Sequence, residues 1–354
     1  MRRNLFFSIL LLFISLISSL AQDSLSTKKV KILPVPTFGY SPETKTYIGA
    51  VSLFTLNFYQ DQLTRTSNAK IEFGYSWNKQ IIAETQWNYF FREEAWFTRG
   101  WIHFSKYPDL YYGIGADTPA AGEIKFESNR VLIDIDALKK IKHNVFGGVG
   151  IRYFSYANMS FYDNVNPYPE LESSSSIGLK LILLKDSRNN ILNPSTGSYL
   201  ELINTNNIDG TFYSKIGIDW RRYFTMKFNR NHVVAGRFYS TFTFGKPPFF
   251  DYSLIGGDRF VRGYLFGRFR DYHFSTLQME YRMKLFWRLG LSGFGGMSMI
   301  YHQIDEVDRD TYKPNVGMGL RFLVDKTENT NLRIDYALGS DGQDGFYITF
   351  GESF

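Results

Sequence analysis

The sequence contains no cysteine among its 354 residues. Disulfide bonds and thiolate chemistry are therefore excluded, and so is a lipid anchor on a cysteine that follows a secretion signal. Long apolar runs are scarce as well, because only residues 5–20 form one. After that run no segment approaches the roughly 20 apolar residues that a membrane-spanning helix needs. Any residence in a membrane must therefore be by β-strands.

The single apolar run has the features of a secretory signal. Two arginines precede it at positions 2 and 3, and the small residues Ser19 and Ala21 lie at its end. This arrangement predicts cleavage before Gln22. The expected organisation has three parts, namely a signal peptide (1–21), a short periplasmic lead-in (22–30) and a transmembrane β-barrel (31–354).

Charge is not concentrated anywhere in the chain. The formal net charge is +6, yet no block of five or more basic residues occurs, so we expect no nucleic-acid binding.

The five histidines show no ligand spacing, and we expect neither a metal nor a cofactor. His302 with Asp305 is the only local pair that resembles the rim sites of barrel hydrolases, and we expect no enzymatic activity.

The dominant pattern after the apolar run is an alternation of apolar and polar residues. In one segment Ala69, Ile71, Phe73, Tyr75 and Trp77 alternate with Lys70, Glu72, Gly74 and Ser76. Such a period of two predicts strands with one apolar and one polar face. About sixteen such segments follow one another. An even number suits a closed antiparallel barrel with both termini on one side, and closure removes the sheet edges that lipid does not tolerate.

Strand parity assigns the connections to the two sides of the membrane. If both termini are periplasmic, the long connections 106–122, 157–173, 246–272 and 301–313 face outward, as is usual for outer-membrane barrels. The short turns 92–94 and 227–231 then face the periplasm. A secreted sandwich or propeller would also alternate. Tryptophan and tyrosine at strand ends, the lack of a repeat period and the aromatic C-terminal Phe354 favour the barrel.

Four motifs occur in the order and on the sides typical of one outer-membrane family. They are Val261-Arg262-Gly263-Tyr264 between the eleventh and twelfth predicted strands, Asp186 and Arg188 followed by Pro194 and Gly197 in a periplasmic turn, Arg333-Ile334-Asp335-Tyr336, and the terminal Phe354. On these motifs residues 31–354 resemble the barrel of the BamA/TamA superfamily of outer-membrane insertases and two-partner secretion pores.

The resemblance implies that the loop carrying Arg262 folds into the barrel lumen. An unpaired guanidinium there would cost several kcal/mol, so an inward carboxylate is needed. Glu280 matches the acidic position that the family uses. The alternative is that Glu280 pairs with its neighbours Arg282 or Lys284 instead. The chain lacks the family's second acid on the thirteenth strand, where Phe294 stands among glycines. Asp335 points inward and is the candidate substitute.

The resemblance also implies periplasmic POTRA modules of roughly 70 to 80 residues before the barrel. Residues 22–30 offer no room for one, which is a departure from the family pattern. Client recognition then falls to the barrel itself or to an accessory periplasmic protein.

The junction between the first and last strands is expected to be weak. Pro34 and Pro36 lack the N–H that a ladder hydrogen bond requires, and Gly345 and Gly351 weaken the partner strand. The alternative is that the prolines only lead into the first strand.

We therefore expect a bacterial outer-membrane barrel that assists the insertion or translocation of outer-membrane proteins, or lipid movement, through a weak lateral seam. The expected partners are outer-membrane lipid and either client barrel proteins or an accessory protein. A passive pore is the first alternative. A structural barrel, homodimeric through its seam, is the second.

Overall fold

The computed structural model describes residues 29–354 apart from positions 42–44, 60, 62, 78, 163–165 and 327–328. The strands in chain order are β1 Val30–Ser41, β2 Lys45–Leu56, β3 Ser67–Ser76, β4 Ile81–Phe90, β5 Trp96–Tyr111, β6 Ile124–Lys142, β7 Val145–Phe161, β8 Ser174–Asp186, β9 Gly197–Asn207, β10 Tyr213–Thr225, β11 His232–Gly245, β12 Ser253–Ile255, β13 Phe269–Asp271, β14 His273–Lys284, β15 Leu289–Tyr301, β16 Tyr312–Asp325, β17 Thr330–Gly339 and β18 Asp344–Phe350. Short 3-10 turns occur at Arg92–Glu94, Ala120–Gly122, Phe249–Asp251 and Ile304–Glu306.

Sixteen of these strands form one antiparallel sheet in which sequence neighbours pair and β11 pairs with β14. β12 and β13 form a separate two-stranded sheet within the β11–β14 connection. The predicted all-β fold of about sixteen strands is confirmed. No helix in the described part of the chain is long and apolar enough to cross a membrane. The predicted signal peptide lies outside the described residues, and β1 begins at the last residue of the predicted lead-in.

Side chains alternate between a polar interior and an apolar exterior. On β8, Leu179, Leu181 and Leu183 are 48%, 60% and 47% exposed, whereas the intervening Lys180 is 6% exposed. A water-soluble sheet would show the reverse. Exposed apolar faces and buried charged faces are typical of a barrel whose outside contacts lipid.

The wall of the barrel differs in height around its circumference. β5, β6 and β7 have 16, 19 and 17 residues, whereas β18 has 7. At roughly 3.3 Å per residue, β18 is about 23 Å long before any tilt is considered. The apolar band of an outer-membrane barrel is about 25 Å tall. The last strand is therefore too short to span that band.

Two predicted outward connections are shorter than expected. β5 continues to Tyr111 and β7 to Phe161, so the first residues of the predicted connections 106–122 and 157–173 are strand. Pro108 and Asp109 are typical turn residues, yet both pair with β6. Tertiary pairing overrides local propensity here.

The two ends of the barrel can be told apart. β1 starts and β18 finishes at one end, which we call the terminal end. The connections 112–123, 162–173, 246–272 and 302–311 lie at the other end, which we call the loop end. There the ring of His302 faces the Asp271 carboxylate, with 3.4 Å between Nδ1 and Oδ1.

We call the junction between β1 and β18 the seam. Cα atoms of the two strands approach within 8 Å. Among the described residues, however, no hydrogen-bonded ladder joins them, whereas every other pair of neighbouring strands in the sheet has one. The sheet is thus ordered from β1 to β18 with its two ends side by side.

The prolines of β1 stand on the seam side of the strand. The Lys29 carbonyl accepts a hydrogen bond from the Asn57 N–H at 2.8 Å, so backbone groups of odd-numbered residues face β2 through the unbroken register. Pro34 and Pro36 alternate with them and therefore direct their backbone toward β18. Two donors are missing from that edge.

Candidate functional site

The β11–β14 connection, residues 246–272, folds into the interior of the barrel. Val261, Arg262 and Tyr264 are at most 1% exposed. An apolar cluster made of Ile255, Val261, Tyr264, Phe269, Phe274 and Ile300 packs the connection against β14 and β15. Within it, Gly256 has φ +118°, and a Cβ there would lie 1.9 Å from the Leu265 carbonyl oxygen. Only glycine fits this close approach.

Arg262 is held by two carboxylates from different strands. Its Nη2 lies 2.5 Å from Glu280 Oε2 on β14, and its Nη1 lies 2.5 Å from Asp335 Oδ2 on β17. Both carboxylates are fully buried. The Phe294 ring of β15 covers the guanidinium, with its centroid 3.3 Å from Cζ, which adds a cation–π contact. The neighbouring strands β14 and β15 thus converge with β17 on one loop residue.

Three more arginines surround the two carboxylates. Arg321 bridges Asp335 at 2.6 Å and Glu280 at 3.1 Å, and Arg282 reaches Glu280 at 2.9 Å. Arg333 lies 3.3 Å from Asp335. The acids of this network also include Glu352, which is 2.8 Å from Arg321, and Asp258, which is 3.5 Å from Arg333. Four guanidinium groups therefore face four side-chain carboxylates.

The residues beside Arg262 tie the loop to the last strands. The Gly263 N–H donates to Tyr347 Oη on β18 at 3.0 Å. Tyr264 Oη donates to the Pro314 carbonyl on β16 at 2.5 Å and accepts from the Ser340 N–H at 2.8 Å. Gly263 has φ +102°, and a Cβ there would lie 2.8 Å from the Leu338 backbone. The loop therefore holds the strands next to the seam from inside.

The turn between β8 and β9 carries the second motif. Arg188 forms two hydrogen bonds of 2.8 Å to the Asp186 carboxylate, and Arg65 contacts the same carboxylate at 3.0 Å. Burial alone would lower the pKa of the Arg188 guanidinium, but the ion pair with Asp186 raises that pKa above its usual range. Gly197 has φ +97°, and a Cβ there would lie 2.1 Å from the Ser187 carbonyl oxygen. The motif thus fixes the shape of this turn.

The last four residues leave β18 and enter the terminal end of the lumen. The chain bends at Gly351, which has φ +81°. The Glu352 N–H then donates to the Leu192 carbonyl of the β8–β9 turn at 2.8 Å. Phe354 is 3% exposed and packs in a cluster with Tyr223 and Ala235. We call residues 351–354 the C-terminal tail.

Arg282 connects the turn, the tail and the loop. Its Nη1 donates to the Pro194 carbonyl at 3.2 Å, its Nη2 to the main-chain oxygen of Phe354 at 2.6 Å and its Nε to Glu280 at 2.9 Å. The predicted motif residues Arg262, Pro194 and Phe354 are therefore linked through Arg282, which the sequence had indicated only as an alternative partner of Glu280. Glu280 pairs with both Arg262 and Arg282.

The sequence match to known families is extensive. The model of the Omp85 superfamily domain matches residues 43–354. No curated protein sequence matches the chain.

Two solved structures have a similar fold. BamA from Haemophilus ducreyi lacking POTRA domains 1–3 is 12% identical with a TM-score of 0.55, and the match covers 92% of this chain and 70% of that one. CdiB from Acinetobacter baumannii is also 12% identical with a TM-score of 0.55, and the match covers 91% of this chain and 60% of that one. The chain thus spans less than two thirds of CdiB. The family expected from the motifs is confirmed, and the chain belongs to the Omp85 superfamily.

Proposed function

We propose that this barrel assists the insertion or translocation of outer-membrane proteins, or the movement of lipid, by opening sideways at the seam. The observation that carries the proposal is the missing ladder between β1 and β18 in a sheet where all other neighbours are paired. Net backbone hydrogen bonds contribute about 0.5–1.5 kcal/mol each. Opening anywhere else would break a whole ladder, whereas opening at the seam breaks none.

The exposed edges of β1 and β18 suit a client strand. An unpaired strand edge presents N–H and C=O groups that a second chain can pair with, as in β-strand addition. The shortness of β18, with its 7 residues, supports a locally thinned bilayer beside the same edge. Both client strands and lipid tails would then meet the barrel at one place.

The position of the lumen loop disfavours a passive pore. Arg262 and Tyr264 are buried in the interior and contact β14, β16 and β17, so the loop would obstruct a solute path along the axis. A lateral path through the seam does not require the loop to leave the lumen. In this proposal the charge network holds the loop against the seam wall while the seam opens, and residence is in the bacterial outer membrane. An accessory periplasmic protein is the partner that would deliver clients.

A reversible crosslink across the seam tests the proposal. Ile32 on β1 and Ile348 on β18 occupy outward positions, and cysteines there, with the register scanned by two residues, would form a disulfide where the Cα atoms lie about 5.5 Å apart. The chain has no cysteine of its own. The matched control joins Ile32→Cys to Phe54→Cys on β2, since these two positions are register partners in an existing ladder.

Two activities are measured in liposomes, namely the folding rate of a small client barrel and the flipping of a fluorescent lipid. We expect the seam crosslink to abolish one or both, reductant to restore them, and the β1–β2 crosslink to leave them unchanged. Full activity in a crosslinked seam contradicts lateral opening. Large, steady single-channel conductance would favour the passive pore, and crosslinks between two copies would favour the homodimer.

A further inference from the structure

Three basic side chains point outward near the terminal end of the barrel. They are Lys139 on β6, Lys185 on β8 and Arg222 on β10, and all three are exposed. Their neighbours along the outward face are apolar, as in the run Leu181, Leu183, Lys185 of β8. On β10, the flanking outward residues Trp220 and Phe224 are 44% and 53% exposed. We call these three residues the basic strip.

The aromatic neighbours of the basic strip place it at the boundary between lipid tails and water. Lys139 Nζ lies 5.7 Å from the centre of the Trp96 ring, and Arg222 Cζ lies 5.1 Å from that of Phe224. Amphipathic rings collect at the headgroup level of membranes. Long basic side chains keep their apolar stems in the tails and extend their charge to the headgroups.

The three cations of the strip have no acidic partner in the part of the chain that the structure describes. Among the described residues no carboxylate oxygen forms an ion pair with any of the three. Their cross-strand partners carry no charge, being Trp96 and Gly147 for Lys139, Val145 and Leu200 for Lys185, and Ser198 and Gly236 for Arg222. The three charges are therefore available to an anion from outside the chain.

The loop end of the outer surface differs, because there a lone outward cation, Lys125 on β6, lies with its Nζ 4.6 Å from the centre of the Tyr162 ring. At the loop end, the outward Lys106 is paired with Glu127 at 3.3 Å. Next to the seam, the outward residues at the terminal end are apolar, namely Ile32, Leu320, Phe322, Leu332 and Phe350. Among the described outward strand positions at the terminal end, the cations without an ion pair therefore lie on the wall away from the seam.

We propose that the basic strip binds the phosphate headgroups of anionic phospholipids in the leaflet at the terminal end. Charge complementarity, the aromatic neighbours and the lipid-facing position all fit a headgroup of this kind. Binding would hold the β6–β10 wall at a fixed depth in its leaflet, independently of any opening at the seam. The inference does not depend on the proposed transport function.

Native mass spectrometry of the detergent-solubilised barrel tests this proposal, with phosphatidylglycerol and phosphatidylcholine as probes. A cation near an anionic headgroup contributes on the order of fivefold in affinity. We expect the wild-type chain to prefer phosphatidylglycerol by about that factor. The triple variant Lys139→Gln, Lys185→Gln, Arg222→Gln should lose the preference. Heat-modifiable migration verifies that each variant is folded.

A charge-matched control removes three exposed cations from loop-end connections, by Lys79→Gln, Lys246→Gln and Arg309→Gln. It should keep the preference, and so should Lys139→Arg with Lys185→Arg. Single variants of the strip should each remove one tightly bound lipid. The proposal is overturned if the wild type shows no preference, if the triple variant retains it, or if the loop-end control loses it equally.

Discussion

The wall formed by β5 to β8 and the wall at the seam are built from the same alternating pattern but differ in continuity. β6 pairs along nearly its full length with both neighbours. β18 pairs with β17 over 7 residues and with nothing on its other side within the described sheet. The first wall is secured by backbone ladders, whereas the second is secured from inside by side chains of the lumen loop. We therefore expect the seam wall to open more readily than the β5–β8 wall.

The largest effect is expected from Arg262→Ala, which breaks the interior support of the seam wall. Removing it leaves Glu280 and Asp335 buried with reduced compensation, which costs about 3–5 kcal/mol for a buried ion pair. Hydrogen exchange should accelerate in β17 and β18 and stay unchanged in β6 and β7. The control is Arg259→Ala, an exposed cation of the same loop, with an expected loss of at most about 1 kcal/mol.

A double-mutant cycle then separates the pair from general disruption of the loop. Arg262→Ala combined with Glu280→Gln should show a coupling energy of about 1–3 kcal/mol in denaturant unfolding. Strictly additive effects would remove the claim that this ion pair holds the loop.

Gly263→Ala is expected to have an intermediate effect. The residue has φ +102°, and an added Cβ would meet the Leu338 backbone at 2.8 Å, so strain of about 1–3 kcal/mol is expected. The loop should separate from β17, which limited proteolysis of residues 246–272 would detect. Gly293→Ala on β15 is the matched control, because an added Cβ there has open space and no positive φ. Equal protease sensitivity of the two variants would contradict this prediction.

The smallest effect is expected from Pro34→Ala combined with Pro36→Ala. This double variant restores backbone donors to the seam edge of β1 and so makes the seam more like the β5–β8 wall. Each change restores a donor that faces β18, worth about 0.5–1.5 kcal/mol if it is used. Exchange of amides in β18 should slow, and any lateral activity should fall. Pro108→Ala in the β5 wall should leave β18 unaffected. Faster exchange in the double variant would show that the prolines do not weaken the seam.

The strands could be predicted from the sequence because contact with lipid requires the same alternation of apolar and polar residues in each of them. Leu179, Leu181 and Leu183 must face the tails wherever they pair, so alternation alone reveals the face. The ends of β5 and β7 were not readable, since pairing with β6 carries them through residues with turn propensity. The period of two fixes the side of a residue but says nothing about partners across the lumen.

The candidate site was likewise predicted in part, because the sequence indicated some of its residues but not their partners across the lumen. The resemblance pointed to Arg262, Glu280 and Asp335, and the structure places all three together. Phe294 stands against Arg262 at the position where the family's second acid was missed, which no local pattern signals. Glu352 joins the network because the tail turns inward at Gly351, whereas Arg282 joins it through Glu280 on its own strand.

The β8–β9 turn has a mechanical consequence. With the sheet cut between its first and sixteenth strands, the eighth and ninth lie diametrically opposite the cut. In a split ring that is pried open, the bending moment is greatest at that opposite point, so we expect the ring to flex there. The clamp of Asp186 and Arg188 stiffens this position. The hydrogen bond from the Glu352 N–H to the Leu192 carbonyl joins the C-terminal tail to this opposite turn, and we expect it to resist widening of the ring.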